Sequence, residues 1–460
     1  MKKSALILAM SALMSLGGLA SCNGGANDGT ITLNVYNWED YIYEGVDEKG
    51  NPLEDSTILA FEKAYAESHE GQKIKVNYIT FDTNETMYTK ISKRLVKADL
   101  CCPSDYMIQK MQSEGMLESF GYDKTTKKYT EGLENVNNNT SPYIKNLFND
   151  NELSDFAVPY FWGTMGYTYN PEYVSQEQVS TWDFQWNPGN DLKGNSLKKK
   201  ITIKDSVRDT YFTAVMHVYK EETMSLKSQH EAGTLTDKAY NDALSEIFNR
   251  HDSETIAKVK AALSEITENV TLEVDEGKSD MVLGNIYANL AWSGDSVFSM
   301  DEAEAAKNPV TLAYEIPEEG SNVWFDGWCM PKGANVEAAK AFLDFLADPE
   351  VAAKNMEAVG YTSPIAGEAI WETVKDWYEA DPEEYSEEDC DECDLSYFFE
   401  GTLPEGEEAK ILIPTEERGR QFDAQYPSKE TINRCAIMKD FGTEGNAALY
   451  KMWNEFTASF

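Results

Sequence analysis

The sequence predicts an α/β protein of two lobes, and three observations carry this. Close to its start the chain alternates strand and helix signals, as a parallel sheet with crossover helices requires. Its 460 residues exceed what one hydrophobic core usually organises, so two lobes are expected. With 42% hydrophobic residues there is material for sizeable cores, and no stretch beyond the N-terminal region approaches the ~20 consecutive apolar residues that span a bilayer.

The N-terminal region is not part of that fold. Lys2 and Lys3 are followed by an almost wholly apolar run, residues 5–13, and small residues ending in Leu19-Ala20-Ser21-Cys22. Residues 1–21 are expected to be a secretory signal peptide. The ending matches the lipobox of bacterial lipoproteins, so cleavage before Cys22 and lipidation of its thiol are expected. An ordinary signal peptide with an incidental cysteine is the plainer alternative. Residues 22–29 are small and polar, suiting a flexible tether.

The elements follow in order. Ile31, Leu33 and Val35 alternate with polar residues up to Asn37, which predicts a strand. Ile58, Phe61 and Tyr65 mark a helix, and residues 74–78 alternate again as a second strand. Asn84 is placed to cap a helix bearing Met87, Ile91 and Leu95 on one face. In open parallel sheets, ligands lie beyond the carboxyl ends of the strands. Trp38, Glu39, Asp40 and Tyr41 therefore fall at the expected mouth of the sheet. Residues 220–263, polar with helical character, and the heavily acidic residues 372–410 look inserted. Residues 337–346 predict a helix, Asp348-Pro349 starts another, and residues 447–460 predict a last one.

Composition excludes several functions. A formal net charge of −40 argues against nucleic acid and favours cationic ligands, although much of it serves solubility. Seven cysteines are too few for a disulfide scaffold of this size. Cys101 and Cys102 are adjacent, and Cys390 and Cys393 form a C-x-x-C without a second ligand pair, so no metal is expected; a disulfide or inert thiols remain open. The four histidines, His69, His217, His230 and His251, fit no metalloprotease motif. No nucleophile elbow, phosphate loop or dinucleotide fingerprint is present. Neither a cofactor nor an enzyme activity is expected, although acid pairs abound.

Six motifs then share a resemblance. Tyr36-Asn-Trp-Glu-Asp-Tyr41, Asn84-Glu-Thr-Met-Tyr88, Pro103-Ser-Asp-Tyr106, Pro159-Tyr-Phe-Trp-Gly163, Asp205-Ser-Val-Arg-Asp209 and Trp292-Ser-Gly-Asp295 look like those of the spermidine/putrescine-binding proteins of ABC transporters. The match continues through Trp324-Phe-Asp326 and Gly360-Tyr-Thr-Ser-Pro364. The resemblance implies a two-lobed, periplasmic-binding-protein-like fold with a ligand cleft between the lobes. Lobe 1 would comprise residues 30–158 and 324–361, and lobe 2 residues 159–323 and 362–460, carrying both insertions. It implies ligand contacts at Trp38, Asp40, Tyr41, Ser104, Tyr106, Asp209, Trp292, Asp295, Trp324, Asp326 and Tyr361, with Glu39 at a small-residue position. Ser206 stands where spermidine receptors place an aspartate, and Met438 where some members carry glutamine. Asp295 is typical of the putrescine-preferring branch, so putrescine is weakly favoured over spermidine.

The implied chemistry is consistent with those residue types. A polyamine is a series of ammonium groups joined by methylenes. Carboxylates at fixed spacing meet the ammoniums through charge-assisted hydrogen bonds. Flat rings cover the methylenes and attract the charge. The implied partners are the polyamine, a membrane permease and, through Cys22, the membrane itself; an extracytoplasmic monomer is expected. A receptor for another cationic or small organic solute, a polyamine sensor, and an enzyme using acid pairs or the Cys390/Cys393 couple are the alternatives.

Overall fold

A computed structural model describes residues 29–47, 49 and 51–460. The expected signal peptide, Cys22 and nearly all of the tether lie outside the described residues. Among the described residues no helix is long and apolar enough to cross a membrane.

The first sheet has three parallel strands, ordered Ile74–Phe81, Ile31–Trp38, Leu100–Cys101. In chain order, helix Thr57–Ser68 follows Ile31–Trp38, Asn84–Ser92 follows Ile74–Phe81 and Asp105–Ser113 follows Leu100–Cys101. Phe61 and Tyr65 are buried at the helical spacing read from sequence. The second helix departs from expectation. Thr83, not Asn84, caps it by accepting from the Thr86 amide, which releases the Asn84 side chain for the cleft. It also stops at Ser92. Arg94 adopts a left-handed turn with φ 54°, and Leu95 beyond it is 68% exposed. The period-of-four pattern simply outlasts the helix.

The second sheet has seven strands. Six run in the order Cys435–Ala436, Ser321–Trp328, Val158–Tyr169, Ala288–Trp292, Ile201–Lys204, Val270–Glu273, and Ala313–Glu315 pairs with the far end of Val158–Tyr169. Strands Ala288–Trp292, Ile201–Lys204 and Val270–Glu273 are parallel. Their carboxyl ends therefore face one way and carry Trp292, Lys204 and Glu273.

Two hydrophobic cores organise these layers. One gathers around Val35, Phe61, Ile108 and Phe342, the other around Ile201, Phe212, Leu263 and Leu290. Strand Val158–Tyr169 passes between them: Val158, Tyr160, Phe161 and Trp162 belong to the first core, Met165, Tyr167 and Tyr169 to the second. Strand Ser321–Trp328 runs antiparallel beside it, and the chain there bridges the first lobe at Ser104↔Asp326 and Cys101↔Cys329. Between Phe325↔Trp162 and Gly327↔Pro159 the register shifts. Tyr160 and Phe161 thus stand opposite the single Asp326, a bulge that bends the strand and re-aims side chains.

The two stretches that look inserted are ordered. Residues 220–263 fall in helices Lys220–Glu231, Asp237–Phe248 and Ser253–Ile266, which deliver Leu244, Phe248, Val259 and Leu263 to the second core. Within 372–410 the acidic run forms strand Cys390–Asp394, paired with Lys410–Pro414. The sequence carries no strand signal there. Leu395, Phe398 and Phe399 after it pack into the first core, with the Phe398 ring 5.6 Å from that of Trp162. Residues expected in lobe 2 by chain order thus pack on lobe 1 through aromatic contacts, and the chain rejoins the second core from Ala436 onward. Cys101, Cys102, Cys329, Cys390, Cys393 and Cys435 are all free thiols.

Candidate ligand cleft

Two aspartates define the centre of the cleft. Asp326 and Asp295 are each 5% exposed. The Tyr41 hydroxyl donates to Asp326 Oδ2 at 2.8 Å, and the Tyr361 hydroxyl donates to Asp295 Oδ1 at 2.7 Å. The remaining oxygens, Asp326 Oδ1 and Asp295 Oδ2, are buried and accept no well-aligned hydrogen bond. Buried acceptors are nearly always satisfied in folded proteins. A buried carboxylate left without a cation costs about 3–5 kcal/mol, the situation of Asp326, whereas Asp295 has Lys278 3.5 Å from its Oδ1. Two such openings call for two donors, and cationic donors are the strongest.

Burial pushes the Asp326 carboxyl up to about 6, against the pull of the Ser104 and Tyr41 hydroxyls. Asp295 lies in the first turn of helix Ser293–Ala305, where the helix dipole favours a negative charge.

Aromatic rings enclose these acids. Trp324 donates its indole N–H to the Thr164 carbonyl at 3.2 Å, which fixes the ring 5.3 Å from Tyr361 at 69°. Tyr361 in turn lies 5.5 Å from Tyr41. Trp38 ends the first strand and donates to the Cys102 carbonyl at 2.9 Å. Glycine is required beside this group. A β-carbon at Gly294 would overlap the Tyr361 ring, and one at Gly163 would overlap Ser293 Oγ and Trp324. Gly294→Ala is expected to lower folding stability by about 1–3 kcal/mol through overpacking. Denaturant titration checks this; a loss below about 0.5 kcal/mol would mean that the ring relaxes freely.

The other expected contacts form two flanking sets. Asn84 donates to Ser104 Oγ at 3.1 Å and to the Tyr106 hydroxyl at 3.2 Å, and Tyr106 donates to Glu85 at 3.2 Å. On the second lobe, Asp209 is buried in the first turn of helix Val207–Val218. Burial raises its carboxyl, while the Ser206 hydroxyl, Lys204, Arg208 and the Trp292 indole oppose the rise. Lys204 sits 4.5 Å from the Trp292 ring centroid and forms a buried 2.7 Å ion pair with Glu273.

Tyr41, Asp326, Ser104, Trp324, Tyr361 and Asp295 thus form one connected group. Trp292 and Asp209 meet each other beside Lys204, and Tyr106 joins through Asn84. Glu39 and Asp40 stay exposed at the rim, Asp40 in a left-handed conformation with φ 51°. Sequence reasoning did not single out Lys204, Glu273, Lys278, Arg208 or Gly294. The lobes touch around the cleft: Gln109 donates to the Met438 carbonyl at 2.9 Å, Tyr450 donates to Glu85 at 2.8 Å, and the Arg208 guanidinium lies 4.8 Å from the Tyr106 ring.

Two lobes crossed by an antiparallel strand pair, with buried Asp326 on one crossing strand and buried Asp295 just past the carboxyl end of a parallel strand, have the architecture of a solute-binding protein. The family model for bacterial extracellular solute-binding proteins matches residues 60–384, and the chain belongs to that family. It is 29% identical over 382 residues to a putrescine-binding periplasmic protein of Pseudomonas aeruginosa, covering 79% of this chain and 87% of that one. It is 28% identical over 356 residues to the spermidine/putrescine-binding periplasmic protein of Escherichia coli, covering 76% and 83%. The crystal structure of a spermidine/putrescine ABC transporter substrate-binding protein from Streptococcus pneumoniae superposes with a TM-score of 0.57 at 25% identity, covering 93% of this chain and 99% of that one.

Proposed function

We propose that this protein captures an aliphatic polyamine outside the cytoplasm, putrescine ahead of spermidine, and delivers it to the permease of an ATP-driven importer. The observation that carries this is the pair Asp326 and Asp295, each with one oxygen held by a tyrosine and the other buried and open. An ammonium brings three donors to such an opening. The Trp324 and Tyr361 rings beside them suit a methylene chain, worth about 0.8 kcal/mol per buried CH2. The names of the relatives support the same ligand class. Only the closed arrangement brings contacts from both lobes onto one ligand, so binding favours closure by the difference in affinity between the two states. The Cys22 lipid would hold a monomeric receptor near its permease, and no catalytic step is required.

A thermal-shift screen against putrescine, cadaverine, spermidine and spermine, followed by calorimetry, tests this. If none raises the melting temperature, the ligand class is wrong; tighter spermidine than putrescine binding would reverse the preference.

The pH dependence is also fixed in sign. Ionised Asp326 is the form that pairs with ammonium, so putrescine affinity is full above pH 7 and falls as pH drops through about 6. In the ligand-free protein the sign is opposite. A carboxyl raised on folding contributes most to stability at low pH, and that contribution is lost as pH rises through about 6. The melting-temperature increase caused by putrescine is therefore expected to grow from pH 5 to 7.5. A flat profile would contradict the role given to Asp326.

A further inference from the structure

The Asp295 end of the cleft already holds an ammonium that belongs to the protein. Lys278 lies on helix Glu276–Leu283, packed along the helix that presents Asp295. Its Nζ is 3.5 Å from Asp295 Oδ1 and 3.8 Å from Asp275 Oδ1, and its side chain is 30% exposed. Burial works against its charge, but Asp295, Asp275 and Asp40 outweigh it and keep the amine protonated. Asp295 Oδ1 thus serves Tyr361 and Lys278 together, while Oδ2 stays open. Among the described residues no lysine or arginine forms an ion pair with Asp326, which is approached by the Tyr41 and Ser104 hydroxyls instead. The two ends of the cleft are therefore unequal.

We infer that Lys278 is a specificity-determining residue, a tethered ammonium that occupies one charge position at the Asp295 end and so selects diamines over triamines. This rests on the polyamine reading. A diamine can satisfy Asp326 with one ammonium and Asp295 Oδ2 with the other. A third ammonium extending past Asp295 meets Lys278, like charge against like at a half-buried position where water screens the repulsion only in part. Discrimination then comes from an installed repulsion rather than from a missing contact. The second internal cation does not duplicate this role, because Lys204 is matched by Glu273 at 2.7 Å.

Calorimetry with putrescine and spermidine on the wild type, Lys278→Met and Lys278→Gln decides the matter. Both variants should bind spermidine at least 10-fold more tightly relative to putrescine than the wild type does, and Lys278→Arg should keep the wild-type ratio. The unliganded melting temperature of each variant is measured alongside, and two different neutral side chains guard against a local folding defect in one. An unchanged ratio in both neutral variants, or parallel weakening of both amines, overturns the inference while leaving polyamine binding intact. Failure of the wild type to bind either amine overturns both.

Discussion

Asp326→Asn is expected to weaken putrescine binding by roughly 150- to 5,000-fold, as removing one partner of a buried charged pair usually costs about 3–5 kcal/mol. The substitution preserves shape, and the Tyr41 hydroxyl can still donate to the asparagine oxygen. What changes is the open position. In place of a buried acceptor, the amide can turn an N–H toward the incoming ammonium, donor against donor. The effect on the unliganded protein should run the other way. Burial already holds this carboxyl at about 6, so at neutral pH its ionised form burdens the fold, and the asparagine variant should melt no lower than the wild type. Calorimetry and a melting curve on the same sample separate the two effects. Putrescine affinity within 10-fold of wild type in a folded variant would move the ligand away from Asp326.

The other large effect is on stability. Lys204 and Glu273 form an ion pair whose side chains are 1% and 5% exposed. Lys204 also donates to the Val274 carbonyl at 3.1 Å, and Glu273 accepts from the Gly277 amide at 3.0 Å. Lys204→Met leaves Glu273 charged, buried and without its cation, which is expected to cost about 3–5 kcal/mol. Lys204→Met combined with Glu273→Met removes both charges and should recover more than half of that loss, since hydrophobic replacement of a buried pair is often neutral. Urea denaturation of the two variants measures the difference. Equal stability of the single and double variants would show that the lost contact is packing against Trp292 rather than charge.

Much of this was legible in the sequence, for a physical reason that also marks where legibility ends. Ile31, Leu33 and Val35 alternate because one strand presents its residues to two faces, and Phe61 and Tyr65 repeat at four because a helix does. Such patterns are local. The mouth residues Trp38 to Tyr41 follow from them, since a parallel sheet places its strand ends together. Asp295, Trp324, Asp326 and Tyr361 are distant in sequence and were found through ordered motifs instead. The rest depends on pairing between remote segments. Lys204 ends an Ile-Thr-Ile-Lys strand and reads as a solvated terminus; only the fold brings Glu273 to it. Lys278 sits in an Asp-Glu-Gly-Lys run that suggests nothing but surface. The acidic strand Cys390–Asp394 has poor strand chemistry and forms because Lys410–Pro414 lies beside it. Asn84 looked like a cap because the true cap, Thr83, is its neighbour.

The extra residue in the long crossing strand limits how this cleft can change over generations. Tyr160 donates its hydroxyl to the Tyr41 carbonyl at 2.7 Å, and both the Tyr160 and Phe161 rings pack against Tyr41, at 5.6 and 5.0 Å. Neighbours in a regular strand point to opposite sides; the local irregularity is what lets both clamp the same phenol. Excising one codon there would turn a ring away, free Tyr41 and withdraw the donor from Asp326, with both cores left standing. Amine preference is thus open to revision by exchanging side chains, whereas a change of chain length at this point would undo the Tyr41–Asp326 contact.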